Sequence, residues 1–136
     1  MDVNKQTKLT FKGVDILNVN FKAISPREGE VKIDIKCDTK VFYPSDHKNL
    51  FKIVMDIELK DIRFFEISVT AVGTFELDSE LDENLRKIFV NSNAPAIMFP
   101  YIRSFISTLT ANLGSVVGTL VIPTQFFKGE LEVIKE

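Results

Sequence analysis

Arg63-Phe64-Phe65-Glu66-Ile67-Ser68-Val69-Thr70-Ala71-Val72-Gly73-Thr74-Phe75-Glu76-Leu77, followed by Asp78-Ser79-Glu80-Leu81-Asp82-Glu83, is where the hydrophobic period of the chain changes. Up to Leu77 the period is two. Phe65, Ile67, Val69, Ala71, Gly73, Phe75 and Leu77 share one side of an extended strand, and Phe64, Glu66, Ser68, Thr70, Val72, Thr74 and Glu76 the other. Beyond Asp78 it is helical, with Leu81, Leu85, Ile88 and Phe89 on one stripe. Ser79 followed by Asp82 resembles a capping box with Asp in place of Glu, and Glu80, Asp82 and Glu83 suit the positive end of a helix dipole. Strands therefore precede helices, which predicts an α+β fold.

Working towards the N-terminus, two more runs alternate. Phe51, Ile53, Met55, Ile57 and Leu59 face inward against Lys52, Asp56, Glu58 and Lys60, and Val31, Ile33, Ile35 and Cys37 against Lys32, Asp34, Lys36 and Asp38. These patterns predict half-buried antiparallel strands with charged outer faces, joined by turns at Pro44–Asn49 and Lys60-Asp61. The first run is less regular. Leu9 and Phe11 share a face, Val14 and Ile16 change phase after Gly13, and Val19 and Phe21 change it again after Leu17-Asn18. Inserted residues of this kind predict a strand bent by bulges, followed by the polar connection Ser25–Glu30. The expected sheet has four antiparallel strands, the first of them bent.

Towards the C-terminus, the first helix is expected to end near Asn91-Ser92-Asn93. A longer one follows, carrying Ile97, Met98, Tyr101, Ile102, Phe105, Ile106, Leu109 and Leu113 over more than one face, with Pro100 in its first turn or as a kink and Gly114 as its stop. Its remaining face is small and uncharged where a monomer would carry charge, so burial against another subunit is expected. Leu120–Pro123 reads as extended, and Thr124–Ile134 as a short C-terminal helix weakened by Gly129.

The 136 residues, 45% hydrophobic and 26% charged, fit one domain spanning 1–136, with strands over about 9–77 and the helical part over 79–136. Seventeen basic against nineteen acidic residues leave a net charge of −2, which argues against a nucleic-acid protein. Met1–Lys8 lacks the apolar stretch of a signal peptide. Ala94–Phe127, though apolar, is interrupted by Pro95, Pro100, Gly114, Gly118 and Pro123, so no membrane insertion is expected and the cytoplasm is the expected compartment.

Catalytic chemistry is not expected. One cysteine and one histidine exclude a disulfide framework and cysteine- or histidine-rich metal centres. His47 sits between Asp46 and Lys48 in a turn, and Cys37 continues an apolar strand face as a packed thiol. Asp34, Asp38, Asp56 and Glu58 interleave with lysines as a solvated sheet face does, and the acidic run Glu76–Glu83 reads as helix capping. No cofactor motif is present. The unusual feature is aromatic: twelve Phe, two Tyr and no Trp. Phe64 and Val72 on the polar side of their strand, Phe42-Tyr43 before Pro44, and Phe126-Phe127 are either core, subunit interface, or a groove for apolar side chains of extended polypeptides.

Ala94-Pro95-Ala96-Ile97-Met98-Phe99-Pro100-Tyr101-Ile102-Arg103 resembles the opening of the long helix in the protein-export chaperone family SecB, most specifically at Phe99-Pro100-Tyr101 with Arg103 two residues on. Val121-Ile122-Pro123-Thr124-Gln125-Phe126, Gly73-Thr74-Phe75, Leu9-Thr10-Phe11 and Val19-Asn20-Phe21 resemble further family segments, in the same order along nearly the whole chain. The resemblance implies a dimer of dimers with the long helices sandwiched between sheets, so that Phe99, Tyr101, Ile102, Phe105, Ile106 and Leu109 fall at the oligomer interface. It implies an ATP-independent holdase without cofactor, binding unfolded or export-competent polypeptides in apolar grooves. By analogy Val31, Ile33, Ile35, Phe126, Phe127 and Leu131 line those grooves, with Phe42 and Tyr43 beside them. The family docks the export ATPase SecA through acids on the outer sheet face. Asn18, Lys22 and Ser68 stand at the corresponding positions here, and nearby Glu66 does not restore the patch. A SecB-like chaperone dedicated to one client, such as an antitoxin, keeps the groove and loses that patch.

Overall fold

A computed structural model describes residues 8–123 and 131–134. β1 (Leu9–Ala23), β2 (Asp34–Phe42), β3 (Leu50–Asp61) and β4 (Phe65–Leu77) are followed by α1 (Glu83–Ile88), a π-helical turn (Phe89–Asn93), α2 (Ala94–Ala111) and β5 (Glu132–Ile134). The sheet order is β1-β4-β3-β2-β5. β2, β3 and β4 form an antiparallel meander, and β1 pairs antiparallel with β4 through a long crossover, a Greek-key connection.

The alternation settles which face is the core. Phe51, Ile53, Met55, Ile57 and Leu59 of β3 are buried, as are Phe65, Ile67, Val69, Ala71, Phe75 and Leu77 of β4. Their register partners on β2, namely Ile35, Cys37 and Val41, lie on the same side. The bends of β1 fall where the phase changes predict them: register shifts separate Phe11 from Gly13 and Ile16 from Asn18, leaving Lys12 and Leu17 as the extra residues. Gly13 takes φ +126° at the first bulge, a conformation open to glycine.

Five aromatic rings cross the sheet in a row. Phe11, Phe75 and Phe51 are register neighbours on β1, β4 and β3, with ring centroids 5.3 Å apart at each step. Tyr101 of α2 extends the row at one end, 5.2 Å from Phe11, and Tyr43 at the other, 6.4 Å from Phe51. Aromatic neighbours at these spacings contribute beyond the area they bury.

α2 lies on the inner face. Met98, Phe99, Ile102 and Ile106 are buried, and Met98 packs where β4 has no side chain: a Cβ on Gly73 would stand 2.9 Å from the Met98 sulfur. The segment after α2 then returns beside it. Arg103 Nε donates to the Ile122 carbonyl (2.8 Å), Ser107 Oγ to the Leu120 carbonyl (2.9 Å), and Thr110 Oγ1 accepts from the Leu120 amide (2.9 Å). Positions 103, 107 and 110 share one helical stripe, so three polar side chains satisfy backbone groups of a segment that lies outside the sheet. Leu120 and Ile122 point into the core and Val121, 74% exposed, points away.

Several expectations are corrected. Asp82, not Ser79, caps α1, its carboxylate accepting from the Leu85 amide at 2.8 Å. The helices are not separated at Asn91–Asn93, because the π turn carries one into the other. Pro95 occupies the first turn of α2 while Pro100 stands inside it, on an exposed side. The helix ends at Ala111 with Asn112 as its C-cap, two residues before Gly114. Phe64 belongs to the β3–β4 turn and is buried, the Arg63 guanidinium lying 4.5 Å over its ring. The sheet has five strands rather than four: Glu132–Ile134, expected as helix, pairs in parallel with Lys40–Phe42. The open edge of β2 offers backbone partners that favour extended, β-branched Val133-Ile134 over a helical turn. No helix among the described residues is long and apolar enough to cross a membrane.

Candidate functional site

β2 starts at Asp34, so Val31 and Ile33 precede it in the crossover from β1. Their position is set by a buried carboxylate that hydrophobic patterning does not predict. Asp61 ends the inward-facing series of β3 and is 2% exposed. Its Oδ1 accepts from Arg63 Nε (3.1 Å) and the Arg63 amide (3.0 Å), and its Oδ2 from the Arg63 terminal nitrogen (2.8 Å) and the Lys32 amide (2.9 Å). The same Arg63 nitrogen donates to the Glu30 carbonyl (3.1 Å), and Ser25 Oγ donates to the Arg63 carbonyl (2.7 Å). Every lone pair of a buried carboxylate needs such partners. The Arg63 hydrogen bonds hold the Asp61 carboxyl well below the usual carboxylate range, against the opposing effect of burial, with the backbone donors assisting. Asp61 and Arg63 therefore clasp the crossover to the β3–β4 turn, and the Lys32 amide is spent on Asp61 between Val31 and Ile33.

The clasp leaves an apolar strip along β2. Val31, Ile33, Ile35, Cys37 and Leu131 are half-buried and pack against the rim of the core. Burial pushes the Cys37 thiol up, opposed by its Thr39 contact at 3.6 Å and reinforced by Asp38 and Asp56. The expected groove residues fall in two groups. Val31, Ile33 and Ile35 lie together at the start of β2. Leu131 lies at the other end, its amide donating to Asn91 Oδ1 of the π turn at 2.7 Å. Tyr43 is there too, lining a hollow of about 250 Å³ with Leu77, Glu83, Arg86 and Val90. Phe42 pairs with Lys52 on the outer face and does not join the strip. Phe126 and Phe127 lie outside the described residues.

The expected interface residues also divide. Phe99, Ile102 and Ile106 are buried within the chain itself, and Phe105 and Leu109 are half-buried. What α2 leaves open is Ile97, Tyr101 (56% exposed), Ser104 and Thr108, an uncharged face. On the opposite side of the sheet, β1 and β4 bring Asn18, Asn20 and Lys22 beside Thr70, Ser68 and Glu66 in register. Glu66 is flanked by Lys22 and Lys60, and Glu58 pairs with Lys60 at 3.2 Å. A shallow hollow of about 440 Å³ there is lined by Asn20, Lys22, Glu58, Glu66 and Ser68. Its acids are compensated by lysines. Among the described residues no cluster of His, Cys, Asp and Glu could hold a metal ion.

A Greek-key antiparallel sheet carrying a long helix on its inner face, with an apolar strip along β2, defines the class of protein. Residues 12–126 match the profile of the family described as preprotein translocase subunit SecB, and the chain belongs to that family. The resemblance read at Ala94–Arg103 and Val121–Phe126 is thereby borne out. Membership of the family supports a chaperone or export role. The protein-export protein SecB of Orientia tsutsugamushi (strain Boryong) is 30% identical over 110 residues, covering 78% of this chain and 65% of that protein. An uncharacterized protein of Methanocaldococcus jannaschii is 25% identical over 143 residues, covering 100% of this chain and 90% of its own. The fold is that of the SecB-like chaperone of Mycobacterium tuberculosis, solved with a ChAD peptide from the HigA1 antitoxin. The TM-score is 0.69 at 12% identity, over 90% of this chain and 91% of that one.

Proposed function

We propose that this chain is an ATP-independent holdase that keeps unfolded or export-competent polypeptides from aggregating, working in the cytoplasm as a homo-oligomer, a dimer of dimers. The observation that carries this reading is the half-buried strip Val31, Ile33, Ile35 and Leu131, which adjoins the core without being closed by it. Apolar area of this kind binds by burial, which is indifferent to residue order and suits a binder of many unfolded clients. The uncharged face at Ile97, Tyr101, Ser104 and Thr108 supports packing of α2 against a second subunit. By analogy with the family, we take Phe126 and Phe127 as further client contacts.

The test is aggregation of a chemically denatured polypeptide diluted into the protein without nucleotide. Stoichiometric tetramer is expected to suppress light scattering, and unchanged scattering sinks the reading. Phe126→Ser with Phe127→Ser is expected to weaken capture about tenfold or more while the oligomer stays intact. A chaperone serving a single client, such as an antitoxin, is the second reading. The lysine-compensated outer face favours it, because SecA docking needs uncompensated acids there. Binding of SecA at micromolar affinity would decide for the export pathway.

A further inference from the structure

β2 runs from Asp34 to Phe42, and its outer edge takes up β5 only at Lys40, Val41 and Phe42. Among the described residues no other strand pairs with that edge. β5 is three residues long and parallel, and its central Val133 is 50% exposed. Short strands of this kind are marginal, and parallel pairing is the weaker mode. Beside its ladder, β5 is anchored by the Leu131 amide on Asn91. The edge therefore carries a strand that opens at small cost.

We propose that the outer edge of β2 is a strand-addition site for an extended polypeptide with alternating apolar side chains, and that Glu132–Ile134 is a resident strand that the client displaces. The inference rests on the holdase reading and adds how the client is held. Main-chain hydrogen bonds to β2 are available to any sequence. Alternate client side chains meet the inner strip at Ile35 and Cys37, beside Val31 and Ile33. The parallel seating of β5 shows the edge accepting a strand in this sense. Two copies of β2 related by a twofold axis would pair antiparallel, whereas the strand this edge seats is parallel, so the occupant is an extended client rather than a sister subunit.

Lys40 and Glu132 face each other in register on the outer side of the sheet, away from the apolar strip. The doubly substituted chain Lys40→Cys, Glu132→Cys, in a Cys37→Ala background, locks β5 in place when oxidised and frees it when reduced. Capture of fluorescent, reduced and carboxymethylated lactalbumin, read by anisotropy, is expected to be about tenfold weaker in the oxidised form and restored by reductant. The chain ended after Leu131 lacks the resident strand, keeps the groove residue Leu131, and is expected to bind about threefold tighter or more. Equal capture in both redox states overturns this inference and leaves the holdase reading standing. So does weaker capture by the shortened chain, or its doubling in size by light scattering. No capture by the unmodified chain removes the holdase reading and this inference with it.

Discussion

Asp61 sits where hydrophobic alternation calls for an apolar residue, and the chain accommodates it by bringing four donors to its two oxygens. The pattern of β3 ends at Leu59 in the sequence, with Lys60-Asp61 read only as a turn. The partner that makes the burial tolerable is two residues on and the other end of the clasp is in a crossover, which no period of two or 3.6 encodes. Because its folded-state pKa is depressed, Asp61 stabilises the fold above the ordinary carboxylate pKa of about 4, and that contribution is lost as pH falls below it. Asp61→Asn is therefore expected to lower urea stability at pH 7, with the difference from the parent shrinking below about pH 4. A gap of constant size across that range would contradict the clasp. The Cys37 thiol, raised by burial, is expected to react with iodoacetamide at pH 8 more slowly than free glutathione. Reaction at the rate of the free thiol would place it outside the core rim.

At the scale of elements, the sheet was the legible part. Alternation located β3 and β4 nearly to the residue, and the phase changes of β1 located both bulges, because one face of each strand is buried and a slip would turn every side chain over. The alternation of Val31, Ile33 and Ile35 was legible too, although the strand expected from Val31 begins only at Asp34. The rest depended on long-range pairing. Asp82 rather than Ser79 caps α1, the π turn joins what Asn91–Asn93 seemed to divide, and β5 forms only because β2 leaves an edge beside it. Strand parity puts Phe64 on the polar side of β4, yet it lies buried in the turn beneath Arg63. The seat of Met98 over Gly73 ties α2 to β4 and carries its own prediction. Gly73→Ala puts a methyl group against the buried Met98 sulfur and the Phe75 ring, and is expected to cost about 1–3 kcal/mol in urea unfolding. A cost below about 0.5 kcal/mol would mean that α2 sits further from the sheet.

For the whole molecule, the proposed assembly rests on the open face of α2. Tyr101→Glu places a charge at the centre of that face without disturbing the buried Met98, Ile102 and Ile106. It is expected to reduce the oligomer to smaller species in multi-angle light scattering, with the circular dichroism spectrum unchanged. An unaltered mass would move the subunit contact elsewhere. The row of rings from Tyr43 to Tyr101 has a further, practical consequence. The chain has two tyrosines and no tryptophan, and the row places one at each end with three phenylalanines between them. Tyr43→Phe leaves one emitter on the helix face, and Tyr101→Phe leaves one beside the end of β2. The two tyrosines are thus two built-in fluorescent gauges, separable by a single hydroxyl deletion each, one placed to report the proposed assembly and the other the proposed client binding near β2.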